Sequence, residues 1–155
     1  MLSSCLVRNP GVFVRTSIPR VSFMYEEVTH GIRISVEPTF LAEKSQPKAG
    51  LYYFAYRVRI QNEREEPTQL VSRHWLIRDG KGATHEVKGD GVIGLQPVLA
   101  PGEIFEYSSF CPLPTPTGSM RGTYLMQDPA QQAGVAKTYV VKIPLFFLRD
   151  LSQFH

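Results

Sequence analysis

Gly89-Asp90-Gly91-Val92-Ile93-Gly94, preceded by Lys88, is the sharpest chemical pattern in this chain. A G-x-G-x-x-G run binds a dinucleotide pyrophosphate when it follows a strand and opens a helix, whose N-terminus offers unsatisfied N–H groups. Thr84 to Lys88 reads as the strand, but Gln96-Pro97 and Pro101-Gly102 forbid a helix of useful length. The dinucleotide-fold reading is therefore rejected. Two others stay open. Consecutive N–H groups of a glycine loop can form an anion-binding nest without a helix; Lys88, Gly89, Gly91 and Gly94 would then hold a small phosphorylated ligand, opposed by the charge of Asp90. Alternatively the glycines serve a bulge or tight crossing where only a missing Cβ fits. The second is preferred, because isolated glycine motifs match by chance often.

Arg73-His74-Trp75 is the other cluster with chemical content. In a strand with Trp75 directed inward, Arg73 shares its parity and His74 faces the opposite way. Arg73 then emerges near a sheet end or pairs with a carboxylate such as Glu86. One reading has Arg73 and His74 lining a groove beside the glycine loop. The plainer one, a core tryptophan with solvated polar neighbours, fits ordinary burial better.

Catalytic and metal chemistry find less support. The histidines are His30, His74, His85 and His155, without the H-x-x-x-H or C-x-x-C spacing of a metal site. Ser108, Ser109 and Cys111 lie on a strand without a G-x-S-x-G elbow. Asp90 and Glu103 qualify as an acid–base pair only loosely. No catalytic residue, metal ligand or cofactor is assigned.

The elements that must position these residues are strands. Ile32 to Glu37 alternates apolar and polar and is closed by Pro38; Glu43 to Gly50 reads as a loop. Tyr52, Phe54, Tyr56, Val58 and Ile60 form one face of a second strand whose other face carries Arg57 and Arg59, a basic surface suited to a partner. Gln69 to Arg78 is apolar on both parities, which predicts a central strand covered on both sides. Asp79-Gly80-Lys81-Gly82 predicts a hairpin. Ile104 to Cys111, the stretch with Met120, Tyr124 and Met126, and Thr138 to Leu148 complete the strands, with Pro112, Pro114, Pro116 and Gly118 as an extended crossing outside them. Asp128 to Ala136 reads as a loop. The expectation is all-β: an antiparallel immunoglobulin- or fibronectin type III-like sandwich of about seven strands.

The chain has 155 residues, enough for one domain, and its 17 Lys and Arg exceed 14 Asp and Glu. Arg8, Arg15 and Arg20 precede the first acid, Glu26, so the rest of the chain is formally neutral. Binding of nucleic acid across the sandwich is not expected, since phosphate contacts need concentrated positive charge. No stretch reaches the roughly 18 apolar residues of a membrane span. Residues 1–27 read as a flexible leader and 151–155 as a tail, around a domain at 28–150. The early segment is acid-free and rich in Arg and Ser, as an organellar transit peptide is, yet Pro10, Gly11 and Pro19 interrupt a helix. With Cys5 and Cys111 as the only cysteines, an intracellular, reducing location is expected, cytoplasmic or, if the leader targets, mitochondrial or otherwise organellar.

Trp75-Leu76-Ile77 with Asp79-Gly80, Gly89 to Gly94 with Gln96-Pro97, and Ala100-Pro101-Gly102-Glu103 together resemble the central signature of the ApaG family. Thr115-Pro116, Gly118, Met120, Gly122, Tyr124, Met126 and Ile143-Pro144 continue the match, which spans about Ile32 to Leu148. The resemblance implies an immunoglobulin- or fibronectin type III-like sandwich. In bacteria the family is associated with cobalt and magnesium tolerance; related eukaryotic domains occur in F-box and polymerase-interacting proteins, where they are taken to bind proteins. The functional expectation is a non-enzymatic module that binds a protein partner through sandwich loops and edges. The alternatives are a phosphate, pyrophosphate or nucleotide sensor built on Gly89 to Gly94 and, behind it, a phosphoanhydride hydrolase.

Overall fold

In a computed structural model that describes residues 14–15, 23–129 and 137–153, the alternation resolves into two antiparallel sheets facing one another. The strands are β1 (Val14–Arg15), β2 (Tyr25–Thr29), β3 (Ile32–Phe40), β4 (Tyr52–Asn62), β5 (Thr68–Asp79), β6 (Thr84–Asp90), β7 (Val98–Leu99), β8 (Ile104–Leu113), β9 (Thr117–Gln127) and β10 (Thr138–Arg149). The first sheet runs β1-β8-β4-β3-β2; the second runs β10-β9-β5-β6, with β7 paired to β5. The chain is an all-β sandwich, as its alternation requires. No helix of the described residues is long and apolar enough to cross a membrane.

One parity of each long strand fills the space between the sheets. Ile34, Val36, Phe54, Val58 and Ile60 come from the first sheet; Trp75, Ile77, Met120, Tyr124, Val141 and Phe146 come from the second, all buried. The Trp75 ring meets Tyr56 across the sandwich at 5.4 Å between centroids, and Phe146 and Tyr124 of its own sheet at 5.9 and 6.4 Å. Such edge-on aromatic packing adds to the burial energy of each ring.

Several expectations are corrected. Pro38 does not close its strand, because β3 continues to Phe40, and Pro112 lies within β8 rather than in the crossing. Both positions obey the rule that proline needs an edge or bulge. β2 pairs with β3 only as far as Val36, and β1 pairs with β8 only at Ile104 and Phe105, so neither proline interrupts a described ladder on its outer side. Pro144 falls where the β9–β10 register slips, between Ile143 and Phe146.

β5 is apolar on both parities for a different reason than expected. The register slips between Leu70 and Ser72, so Val71 is an extra residue that exchanges which parity faces the core. Leu70 is buried before the slip, Trp75 and Ile77 after it. The outer face of β5 is uncovered at Arg78, which is exposed. β1, paired with β8, lies inside the span expected to be leader, and β2 starts there too, at Tyr25. The rest of that leader, 1–13 and 16–22, lies outside the described residues, as do 130–136 and 154–155.

Cross-strand charge pairing holds the outer face of the first sheet. Ser35, Arg59 and Glu106 stand in one row across β3, β4 and β8. Arg59 Nη2 donates to Glu106 Oε1 at 3.2 Å, with the two side chains 5% and 12% exposed. Removing only one partner of a buried pair strands the other charge. Glu106→Leu is therefore expected to lower unfolding free energy by about 3 kcal/mol, while Arg59→Met together with Glu106→Leu recovers most of it; urea denaturation of the three proteins measures this.

Candidate functional site

The hairpin of β5 and β6 carries both chemical clusters that the sequence singles out. Its turn forms as predicted: the Asp79 carboxylate accepts from Lys81 N at 2.8 Å and Ala83 N at 3.1 Å. Gly80 N donates to Thr115 Oγ1 at 2.8 Å, and that hydroxyl donates to Thr117 O at 2.7 Å. The hairpin tip is thereby tied to the β8–β9 turn.

β6 continues through Gly89 to Asp90, and Gly89 lies opposite Arg73. A Cβ on Gly89 would stand 3.0 Å from the Arg73 guanidinium. Arg73 Nη1 donates to Asp90 O at 3.0 Å and Gly91 O at 2.9 Å, holding the loop by its carbonyls. Val92-Ile93-Gly94-Leu95 is a two-residue hairpin: Ile93 and Gly94 have φ of 46° and 76°, and Val92 and Leu95 exchange N–H to O bonds of 2.8 Å each way. Positive φ at both central positions is the turn that suits the twist of paired strands.

Three N–H groups of the loop are thus used within the chain, since Gly91 N also donates to Val71 O at 2.7 Å. Gln96 Nε2 donates to the same carbonyl at 2.8 Å. Val92 is fully buried and closes the end of the core. A small pocket remains there, lined by Val92 with Arg73, Trp75, Tyr56, Tyr107 and Val87. In this geometry the glycines serve the crossing: Gly91 has φ of 62°, and a Cβ there would meet Leu95 O at 2.2 Å.

The other proposed ligand residues are divided by strand parity. Arg73 points inward, whereas His74 and Lys88, which face each other across β5 and β6, occupy the outer side. Glu86 pairs with His74, not with Arg73: His74 Nε2 and Glu86 Oε2 are 2.6 Å apart, and Lys88 Nζ lies 3.9 Å from the same oxygen. His85 stands opposite Ile77, so it does not approach His74 across the hairpin. Among the described residues no group of three or more His, Cys, Asp or Glu is arranged to hold a metal.

Arg57 and Arg59 do share the outer face of β4, but they do not form a free basic surface. Arg57 Nη2 donates to Glu37 Oε1 at 2.9 Å, and Arg59 is held by Glu106 as described. Phe23 stacks over both guanidinium groups, with its centroid 4.9 Å from Arg57 Cζ and 4.5 Å from Arg59 Cζ. The two Nε atoms are buried without an acceptor among the described residues. The strand's own sequence carries no sign of these acids, which arrive from β3 and β8 by register.

Two features lie beyond the sequence reading. Arg64, in the charged turn after β4, bonds Asp128 Oδ1 at 3.1 Å and the Tyr139 hydroxyl at 2.7 Å and stacks on the Tyr139 ring. It locks that turn to β9 and β10. The second is an apolar groove of about 630 Å³ where β2, β3 and the end of β10 meet, lined by Met24, Tyr25, Phe40, Phe54, Phe147 and Leu151 among others. Met24 and Leu151 are 68% and 69% exposed. Exposed β10 residues such as Leu145 and Phe147 are visible as apolar positions in the sequence, but not as a cluster with Met24.

The core itself contains a titratable contact. The Tyr107 and Tyr124 hydroxyls share a hydrogen bond, and complete burial followed by the neighbouring Tyr107 pushes the Tyr124 phenol well above its ordinary range. A raised phenol pKa contributes fully below the unfolded value near 10 and is lost as pH climbs toward the folded value. Phenolate absorbance should therefore show Tyr124 titrating only with unfolding, and stability should fall above about pH 10; titration of every tyrosine in the folded protein would contradict this. For the loop, Gly94→Ala has open space for its Cβ and should cost only the left-handed strain of about 1 kcal/mol. Gly91→Ala should cost clearly more in the same denaturant series.

Comparison with known proteins agrees with this architecture. The ApaG domain model matches residues 42–128. Protein ApaG of Rhodospirillum centenum is 50% identical over 125 residues, covering 81% of this chain and 92% of that protein. Protein ApaG of Anaeromyxobacter dehalogenans is 57% identical over 103 residues, covering 66% and 81%. The crystal structure of the putative ApaA protein from Bordetella pertussis aligns with a TM-score of 0.69 at 44% identity, covering 83% of this chain and 97% of that one.

Proposed function

The chain belongs to the ApaG family, and we propose that it is a non-enzymatic binding module whose ligand is a segment of a partner protein. The observation that carries this reading is the apolar groove at the end of β10, with Phe147 on its wall and Met24 and Leu151 on its rim. Contiguous exposed apolar surface on a small domain costs solubility and marks a contact site. Peptide segments bind such places by seating a few anchoring side chains while their backbone runs along a strand.

The charged residues support binding over turnover. His74 is engaged with Glu86, Arg57 with Glu37, Arg59 with Glu106 and Arg64 with Asp128. The first three join neighbouring strands and the last ties the β4–β5 turn to the end of β9, so their energy goes into the sandwich rather than into a reacting centre. The glycine loop is engaged in the same way, through Arg73 and its own hairpin.

A random-peptide library displayed on phage and selected on the full chain should yield peptides with apolar anchors. Their binding should be lost on Phe147→Asp and Met24→Asp, with the melting temperature of both variants near that of the parent. Absence of enrichment, or binding indifferent to both substitutions, would overturn the reading.

A further inference from the structure

The two outer faces of the sandwich treat their arginines differently. On the first sheet every described arginine of β3 and β4 has a carboxylate: Arg33 pairs with Glu63 at 2.8 Å and Glu26 at 3.4 Å, Arg57 with Glu37 at 2.9 Å, and Arg59 with Glu106 at 3.2 Å. On the second sheet Arg78 of β5 and Arg121 of β9 are exposed, and neither has a carboxylate partner among the described residues. Lys142 and Arg149 of β10 are exposed on the same side.

Register brings these cations together. Arg121 lies opposite Leu76, Arg78 opposite Ser119, and Ser119 opposite Phe147. The result is a concavity of about 460 Å³ lined by Arg78 and Arg121 together with Leu76, Leu145 and Phe147. Arg149 stacks on Phe147, its Cζ 5.0 Å from the ring centroid. Phe147 also lines the apolar groove, so concavity and groove form one surface. Unpaired arginines held beside apolar walls favour a ligand that offers carboxylates and apolar side chains together, since both terms gain from the same contact. A bare phosphate backbone would leave the apolar walls unused.

We propose that the outer face of the second sheet receives an acidic segment of a partner protein, with its carboxylates on Arg78 and Arg121 and an apolar side chain beside them against Phe147 and Leu145. The proposal rests on the protein-binding reading above and names the chemistry of the partner. It concerns a face that the sequence pattern left unassigned, because the basic residues there come from three strands far apart in the chain.

The same peptide selection tests it. Enriched peptides should carry Asp or Glu beside their apolar anchors. Measured by fluorescence polarisation, their affinity should fall as salt rises and drop roughly five- to tenfold on Arg78→Gln with Arg121→Gln, the scale of two exposed charge contacts. Arg33→Gln, on the other sheet, should leave it unchanged. Neutral or basic enriched peptides, or acidic ones indifferent to the Arg78 and Arg121 changes but lost on Phe147→Asp, would overturn the acidic partner while the binding module stands. A single-stranded oligonucleotide that binds more tightly than the peptides, through the same two arginines, would overturn it in favour of nucleic acid. Failure to enrich any peptide removes both readings.

Discussion

The packing of Trp75 against aromatic rings from both sheets governs the rest of this molecule. A side chain of that size, fully buried, needs an interior layer of fixed thickness, and Tyr56, Tyr124 and Phe146 define it. The backbone opposite must come close as well. Gly122 faces Trp75 on β9, and a Cβ there would stand 2.1 Å from His74 O. A side chain at Gly122 would push β9 away from β5 and open the layer that the tryptophan fills. The parity of β5, and with it the outward placement of His74, Leu76 and Arg78, follows from this anchor.

The charges divide accordingly. On β4, which lies between β3 and β8, the outward arginines meet acids in register and become structural. Among the described residues, the outer face of the second sheet lacks this complement around Arg78 and Arg121. Neutrality of the whole body therefore conceals two unlike faces, one internally compensated and one offering cations beside exposed apolar residues. Affinity for a partner is better served by the second, since its groups need not break existing pairs to make new ones.

The glycine loop shows how one residue pattern serves different physics in different surroundings. With a helix after it, the run would present N–H groups to an anion. Here it is followed by a two-residue hairpin, and Arg73 grips its carbonyls from within. The buried Val92 gives the loop a packing role at the end of the core. Gly89 makes room for the guanidinium, and Gly91 makes room for the carbonyl of Leu95.

Much of the fold was legible in the chain because strand pairing against a single core imposes a period of two. Residues Tyr52 to Ile60 and Ile104 to Cys111 declare themselves in this way, and the Asp79 hairpin by its glycines; the inward course of Trp75 does not, because its strand is apolar on both parities. Glycines of the motifs that resemble the ApaG family fall at turns and close approaches, as Gly91 and Gly122 do. Register was not legible. Whether Arg59 meets Glu106, whether Glu86 takes His74 or Arg73, and whether Arg121 stands beside Phe147 all depend on which strands lie side by side and on slips such as that at Val71. Local alternation carries no information about a neighbour tens of residues away. The sequence by itself determined the long strands, most of their inward faces and the Asp79 turn; only the tertiary structure decided which strands lie side by side, and with that which charges are paired within the described residues.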